Sequence, residues 1–85
     1  MTNTDLEYLK IAKVKPLNGF MLDLVFSNGE HRLFDMKPYL NKGIFKELKN
    51  PEYFQEVSVE YGTVKWPHEQ DMSPVTLYLE SAKNS

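Results

Sequence analysis

The dipeptide Asn28-Gly29 constrains this chain more than any other feature, because it stands between two runs of alternating apolar and polar residues. Asparagine and glycine both tolerate positive φ angles, which the two-residue turns of β-hairpins require. We therefore predict a hairpin with strands at about residues 20–26 and 30–35. A second turn signal at Asn18-Gly19 adds an earlier strand at about 10–16, so an antiparallel three-strand meander is predicted.

The register of this hairpin depends on the length of its loop. A two-residue loop places Leu24 opposite Leu33, whereas a three-residue loop with a glycine bulge places Leu24 opposite Arg32. Apolar pairing favours the two-residue loop, which also brings His31 opposite Phe26. A histidine on the core side is interpreted as partly covered and hydrogen-bonded rather than catalytic. The core side of the second strand then carries four apolar residues, Phe20, Leu22, Leu24 and Phe26.

The first predicted strand has the sequence of a sheet edge. It carries Lys10, Lys13 and Lys15 and ends near Pro16, and both lysine and proline protect an edge from pairing with other chains. A bulge or a late start of the strand near Ala12 reconciles the spacing of its apolar residues with strict alternation. Phosphate contact is the alternative use of these lysines, but the edge interpretation is favoured because no arginine accompanies them.

After the meander the apolar period changes from that of a strand to that of a helix. Asp35 is predicted to act as an N-cap, accepting hydrogen bonds from the free N–H groups of the following turn. Residues 36–40 and 44–48 each show helical spacing, and Asn50-Pro51 predicts another start because proline suits the first helical position. The second of these turns has three apolar residues, Ile44, Phe45 and Leu48.

Strand periodicity returns after these short helical turns. A turn at Tyr61-Gly62 places Val59 opposite Val64 and Val57 opposite Trp66, which gives one apolar face. This pattern predicts a second β-hairpin.

The second hairpin is followed by a loop and a helix. Pro67 ends the strand, and residues 68–72 are predicted to form a polar loop. Ser73 is a further N-cap candidate, and a closing helix is predicted over about 74–82. The predicted fold is therefore α+β, with a three-strand meander, short helical turns, a second hairpin and a C-terminal helix.

Length and charge limit the class of protein. Eighty-five residues form one small domain, of which 1–8 and 83–85 are predicted to be frayed. There is no cysteine, and no apolar run approaches the roughly 20 residues of a membrane span, so a cytoplasmic location is expected. Residues 1–50 carry eight Lys or Arg and six Asp or Glu, whereas residues 51–85 carry two and six. The acidic second half is better explained as a solvated surface, and the alternative is that it meets a basic partner. The formal net charge of −2 argues against nucleic-acid binding.

Among the polar side chains, His68, Glu69 and Asp71 form the group best suited to metal binding or acid–base chemistry. One imidazole and two carboxylates are able to ligate a divalent metal or to exchange protons. Their spacing matches no metal-binding motif, and the candidate nucleophiles Ser27 and Ser73 are better explained by a turn and a cap. No glycine-rich phosphate loop, nucleophile elbow or dinucleotide fingerprint is present. No catalytic residue, cofactor or metal is therefore predicted.

Three stretches together resemble a known family. They are LDLVFSNGEHRLFDMKPYL, GIFKELKNPEYFQEV and VKWPHEQDMSPVTLY. Their marks are a turn with Phe26 and Gly29, Asp35 before a short helix, and a W-P-x-x-x-D-x-S-P pattern over 66–74. Over residues 11–78 the chain is similar to the small bacterial domains grouped as domain-of-unknown-function family 2442. It departs from them at Glu69, where the family often has glycine or another small residue.

The resemblance implies a compact α+β module with no established activity. Some relatives carry an added helix-turn-helix domain, which is absent from this sequence. Many are encoded beside another small domain, which implies an antitoxin-like partner role in a two-gene pair. The family gives no catalytic residues to carry over.

We therefore predict a protein-interaction module, with a small-ligand or nucleic-acid-binding domain as the alternative and an enzyme as the least favoured class. The candidate partner surface is His68, Glu69 and Asp71. A homo-oligomer stays open, and membrane insertion is not expected. Five residues are predicted to have structural roles, namely Asn28, Gly29, Asp35, Trp66 and Ser73.

Overall fold

The computed structural model describes residues 9–83, which form two antiparallel sheets and four short helices. The first sheet has the order β1 (Ile11–Leu17), β2 (Met21–Phe26), β3 (His31–Asp35) and β7 (Ala82–Lys83). The second has the order β4 (Ser58–Glu60), β5 (Thr63–Lys65) and β6 (Asp71–Met72). The helices are two 3₁₀ helices (Lys37–Tyr39 and Gly43–Lys49), α1 (Pro51–Phe54) and α2 (Pro74–Glu80). The α+β class and the meander are confirmed, and the predicted fraying of residues 1–8 falls outside the described residues.

Strand β1 lies at one edge of the first sheet. Its pairing with β2 shifts between Ile11 and Lys13, so the bulge predicted near Ala12 is confirmed. The backbone N–H of Ile11 donates to Gly62 O at 2.7 Å. This bond ties the start of the edge strand to the second sheet.

The β2–β3 loop is longer than predicted. Phe26 N–H donates to Glu30 O at 2.8 Å, which leaves three residues in the loop, the last of them Gly29 with a φ of 89°. Leu24 therefore lies opposite Arg32, and the predicted two-residue loop is wrong. The positive φ of Gly29 is that of a three-residue hairpin loop ending in a glycine bulge.

The environment of Arg32 explains why apolar pairing predicted the wrong register for β2 and β3. Its side chain is only 15% exposed, because the guanidinium lies 3.9 Å from the ring centroid of Tyr78 and donates to Glu30 Oε1 at 2.8 Å. An arginine stem buries well against apolar groups when its charge is satisfied. His31 consequently lies on the opposite face, where it is exposed and contacts Asp23.

The residues around Asp35 differ slightly from the predicted cap. The Asp35 carboxylate accepts the N–H of Lys37 at 2.9 Å, but the N-cap position of the first 3₁₀ helix belongs to Met36. The carboxylate is therefore one residue further from the helix than in a standard cap. The hydrogen bond from the Lys37 backbone still holds the pKa of Asp35 below its ordinary value.

The second 3₁₀ helix and α1 follow closely. Asn50 caps α1, since its side chain accepts the N–H of Glu52 at 3.0 Å, which confirms the predicted start. Leu48 is buried as expected. Ile44 was expected on the same apolar side but is 63% exposed, because a 3₁₀ helix turns through three residues and separates i from i+4 more than an α-helix does.

The last helix starts where predicted and ends earlier. Ser73 caps α2 by accepting the N–H of Val75 at 3.2 Å. Ser81 is extended and its hydroxyl donates to Tyr78 O at 3.1 Å, which stops the helix. The next residues, 82–83, pair with β3 as β7, so the helix ends before the expected position at about 82.

The second hairpin has the predicted register. Val59 lies opposite Val64, and the turn residues Tyr61 and Gly62 have φ angles of 54° and 77°. The segment predicted as a polar loop contains β6, in which Met72 lies opposite Val64. Met72 is buried, and this burial is what draws the segment into the sheet.

One cluster of buried apolar side chains joins the two sheets and the helices. Its most completely buried members include Leu22, Leu24, Phe26, Phe34, Phe54, Trp66 and Leu77. Within residues 9–83 no helix combines the length and apolar character needed to cross a membrane.

Candidate functional site: an anchored loop beside an acidic sheet face

Two residues of the predicted partner surface, His68 and Glu69, lie in a tight hairpin loop between β5 and β6, and the third, Asp71, begins β6. Trp66 N–H donates to Gln70 O at 2.9 Å and Glu69 N–H donates to Trp66 O at 3.1 Å, so residues 67–69 form the loop. Glu69 has a φ of 77°, the left-handed conformation that Gly29 has in the β2–β3 loop. We call residues 67–69 the anchored loop, because the residues on either side fix it to the core.

Gln70 provides the main anchor. It is 2% exposed, and its side chain accepts from the Tyr53 hydroxyl at 2.7 Å and donates to Glu47 Oε1 at 2.9 Å and to Ile44 O at 3.1 Å. On the preceding side, Trp66 Nε1 donates to Phe54 O at 2.8 Å. A buried amide with all these partners resists displacement, because breaking them would leave unpaired polar groups in the core.

His68 joins the same network from the solvent side. Its Nδ1 lies 2.7 Å from Glu47 Oε2, its backbone N–H donates to the Tyr53 hydroxyl at 2.8 Å, and its ring stacks on Tyr53 with centroids 5.1 Å apart. Tyr53, Gln70, Glu47 and His68 therefore form a closed ring of hydrogen bonds. The bond from Gln70, followed by the contact with His68, holds the pKa of Glu47 below its ordinary value.

Glu69 and Asp71 belong to a different surface. Lys65 Nζ lies 3.2 Å from Glu60 Oε1 and 3.2 Å from Glu69 Oε1, and Asp71 is the register partner of Lys65 on the neighbouring strand. We call these four residues the acidic sheet face. Hydrogen bonds to Glu69 and Glu60 raise the pKa of Lys65. The four residues carry three carboxylates and one ammonium, so together they are net negative.

The three residues predicted as one surface are therefore divided between two neighbouring groups. His68 turns toward Glu47 and Tyr53, whereas Glu69 and Asp71 lie around Lys65. The partners of these residues were not predicted from the sequence; they are Glu47, Tyr53, Glu60, Lys65 and Gln70.

A repeated sequence frame would have located Gln70. Phe26 and Glu30 bracket one three-residue loop, and Trp66 and Gln70 bracket the other. In both cases an aromatic residue precedes the loop and a Glu or Gln follows it. The side chain of that Glu or Gln accepts a hydrogen bond from a tyrosine hydroxyl.

Other features give less support for a binding site. A surface cleft of about 110 Å³ lies between the β1–β2 turn and α1, which is below the roughly 300 Å³ at which ordinary ligand pockets begin. Its lining residues are Leu17, Asn18, Gly19, Phe20, Pro51, Phe54 and Gln55. In the described part of the chain, no group of three or more His, Cys, Asp or Glu side chains is placed to hold a metal ion.

The comparison with family models gives one result. Residues 11–83 match the model described as "Protein of unknown function (DUF2442)". This chain belongs to the DUF2442 family. The resemblance seen in the sequence is thereby confirmed, and the match covers every strand of both sheets. No match was found among curated proteins or among solved structures.

Proposed function

We propose that this DUF2442 domain is a protein-interaction module that binds a basic partner protein through its acidic sheet face. The observation that supports the proposal best is the pairing of Glu60 and Glu69 with Lys65, together with Asp71 beside Lys65 on the neighbouring strand. Charge complementarity of this kind steers association and suppresses partners of the wrong sign.

The ion pairs within the face are weak enough to be exchanged. The side chain of Glu69 is 79% exposed and that of Glu60 is 49% exposed, and exposed ion pairs typically contribute about 0–1 kcal/mol. A lysine or arginine of a partner therefore competes with Lys65 at little cost. The carboxylates are available without any rearrangement of the sheet that carries them.

The anchored loop favours binding for a second reason. The buried bonds of Gln70 and the stacking of His68 on Tyr53 fix the backbone that presents Glu69. A surface that is already ordered loses less conformational entropy on binding. Ile44, exposed beside Gln70, adds an apolar group to the same region.

The proposed role is not catalytic. Both serines considered as nucleophiles have structural bonds, since Ser27 Oγ accepts the N–H of Lys10 at 3.0 Å and Ser73 caps α2. We place the domain in the bacterial cytoplasm as the antitoxin-like half of a two-gene pair. This placement follows from the family resemblance and makes the product of the adjacent gene the first partner to test.

The test is co-expression with the adjacent gene product, followed by association kinetics at two salt concentrations. Glu69→Lys and Asp71→Lys should each slow association several-fold and leave the melting temperature nearly unchanged, because surface charges act mainly on the association rate. Glu80→Lys, an equal charge change at the end of α2, is the matched control. His68→Ala tests the other side of the loop.

Two results would contradict the proposal. Absence of binding to the adjacent product and to other basic proteins would remove the interaction role. Binding that is insensitive to Glu69→Lys, Asp71→Lys and His68→Ala would move the interface away from the acidic sheet face, with the lysines of β1 as the next surface to test.

A further inference from the structure

The chain contains the dipeptide Asn-Gly twice, at Asn18-Gly19 in the β1–β2 turn and at Asn28-Gly29 in the β2–β3 loop. Both asparagines are exposed. Glycine lacks a Cβ, so its backbone nitrogen approaches the preceding asparagine amide with the least steric hindrance. The two sites therefore share the reacting pair of residues, and they differ in their flanking residues and in what the fold does to them.

The fold restrains both reacting groups at the second site, the side-chain amide of Asn28 and the backbone N–H of Gly29, through hydrogen bonds. Asn28 Oδ1 accepts the N–H of Glu30 at 2.9 Å, and Nδ2 donates to Glu30 Oε2 at 3.1 Å. The N–H of Gly29, which carries the attacking nitrogen, donates to Phe26 O at 2.9 Å. Attack of Gly29 on the Asn28 amide therefore requires the loop to open.

Asn18 has a different environment. Within residues 9–83, the structure gives no hydrogen bond to the Asn18 amide or from the Gly19 N–H, while Gly19 O accepts from Lys37 Nζ at 3.1 Å. Asn18 lines the cleft beside α1. Its amide is therefore able to rotate toward the Gly19 nitrogen without loss of a bond among these residues.

We propose that Asn18 is a site of spontaneous deamidation and that the fold protects Asn28 from the same reaction. The Gly19 nitrogen attacks Asn18 Cγ, a new C–N bond closes a succinimide, the Cγ–Nδ2 bond breaks, and ammonia leaves with the proton from the Gly19 nitrogen. One water then opens the ring at either carbonyl, which gives aspartate or isoaspartate at position 18.

The two positions would tolerate the product differently. A carboxylate at position 18 arises in the turn whose carbonyl already binds the Lys37 ammonium, and it adds a negative charge at the rim of the cleft. A carboxylate at position 28 would replace the Nδ2 donor with an acceptor facing Glu30 Oε2, where two like charges repel. The site that is free to react is therefore also the one at which the fold accommodates the new charge.

The experiment is incubation of the folded protein in mildly alkaline buffer at physiological temperature, with peptide mapping by mass spectrometry over time. Asn18 should convert more than roughly tenfold faster than Asn28, a rate ratio that corresponds to about 1.4 kcal/mol. Asn18→Ser should abolish the early mass change, whereas Asn28→Ser should leave it intact. Equal rates at the two sites, or faster conversion at Asn28, would refute the proposal.

Incubation in denaturant separates the effect of the fold from that of the flanking sequence. Once the chain is unfolded, the bonds that hold Asn28 and Gly29 are lost, and the two rates should converge. A preference for Asn18 that persists unchanged in denaturant would show that the neighbouring residues cause it, and would remove the protective role assigned to Glu30.

Discussion

The hydroxyl group of Tyr53 makes two hydrogen bonds at once, donating to Gln70 Oε1 at 2.7 Å and accepting the backbone N–H of His68 at 2.8 Å. Tyr53 lies in α1 and Gln70 immediately precedes β6. One oxygen atom therefore joins a helix to the loop that carries the proposed binding residues.

Tyr53→Phe should destabilise the fold by about 1–3 kcal/mol, because it leaves the buried amide oxygen of Gln70 and the N–H of His68 without a partner. Chemical denaturation measures the change. Tyr61→Phe is the matched control, since the Tyr61 side chain is 92% exposed, and it should leave stability unchanged. Equal stability of both variants would mean that water replaces the Tyr53 hydroxyl without cost.

Glu69→Gly should stabilise the domain by roughly 0.5–1 kcal/mol, since Glu69 has a φ of 77° and only glycine takes that conformation without a steric penalty. Glu69→Ala keeps the backbone penalty and removes the carboxylate, so it measures the contribution of the ion pair with Lys65 alone. Because that pair is exposed, stability should change little. Gly29→Ala should destabilise for the converse reason. Equal stability of Glu69→Gly and Glu69→Ala would show that the positive φ at position 69 carries no steric penalty.

Asp35→Ala should cost on the order of 1 kcal/mol, the usual loss when a carboxylate no longer accepts the first N–H groups of a helix. The lost bond is the one from Lys37 N at 2.9 Å. Asp35→Asn should cost less because an amide oxygen accepts the same bond. Denaturation of both variants gives the order, and negligible losses for both would show that solvent satisfies the Lys37 N–H equally well.

Stability should fall in acid, and Glu47 should contribute to the fall. Its pKa in the folded state lies below the ordinary value of 4.5, so its contribution is present above that pH and is lost as pH decreases through the folded pKa. Glu47→Gln should therefore flatten the decline of unfolding free energy below about pH 4.5. Glu56→Gln, at an exposed carboxylate outside the network, is the control, and identical slopes for the two variants would exclude Glu47.

The isolated domain should not bind duplex DNA appreciably. Its formal net charge is −2, and phosphate contacts dominate such affinity. A titration at about 0.1 M salt should give no sub-micromolar, salt-sensitive dissociation constant. If such tight binding were observed and the double substitution Lys13→Glu, Lys15→Glu abolished it, the edge strand β1 would be a nucleic-acid-binding surface.

Local signals in the sequence predicted the local structure well. Turns with glycine, caps at Asn50 and Ser73, and the register of Val59 with Val64 all depend on neighbours within a few residues. The wrong register of β2 with β3 depended on a distant partner. Arg32 lies on the core side only because Tyr78, 46 residues away, packs its ring against the guanidinium and accepts a hydrogen bond from it through its backbone carbonyl.

The same reason explains what was missed at the candidate site. From its neighbours in the sequence, Gln70 is predicted to lie in a polar loop. In the folded protein it is buried by hydrogen bonds with Tyr53, Glu47 and the Ile44 carbonyl. Strand β7 has only two residues, too few to show a period, and its position is set by pairing with β3. Strand β7 has no signature within its own segment, and the frame that Trp66 and Gln70 share with Phe26 and Glu30 marks the position of Gln70 without showing its partners.

The contact between Glu30 and Tyr78 sets an order for assembly. The two residues are 48 positions apart, and β7 must also travel back to β3 to complete the first sheet. Contacts of such large separation form slowly, whereas hairpins form from near neighbours. During synthesis the β1–β3 meander can thus emerge and pair while its Arg32 and Glu30 are still uncovered. Docking of α2 then becomes the step that closes the core, and substitutions at Tyr78 should slow folding less than they speed unfolding.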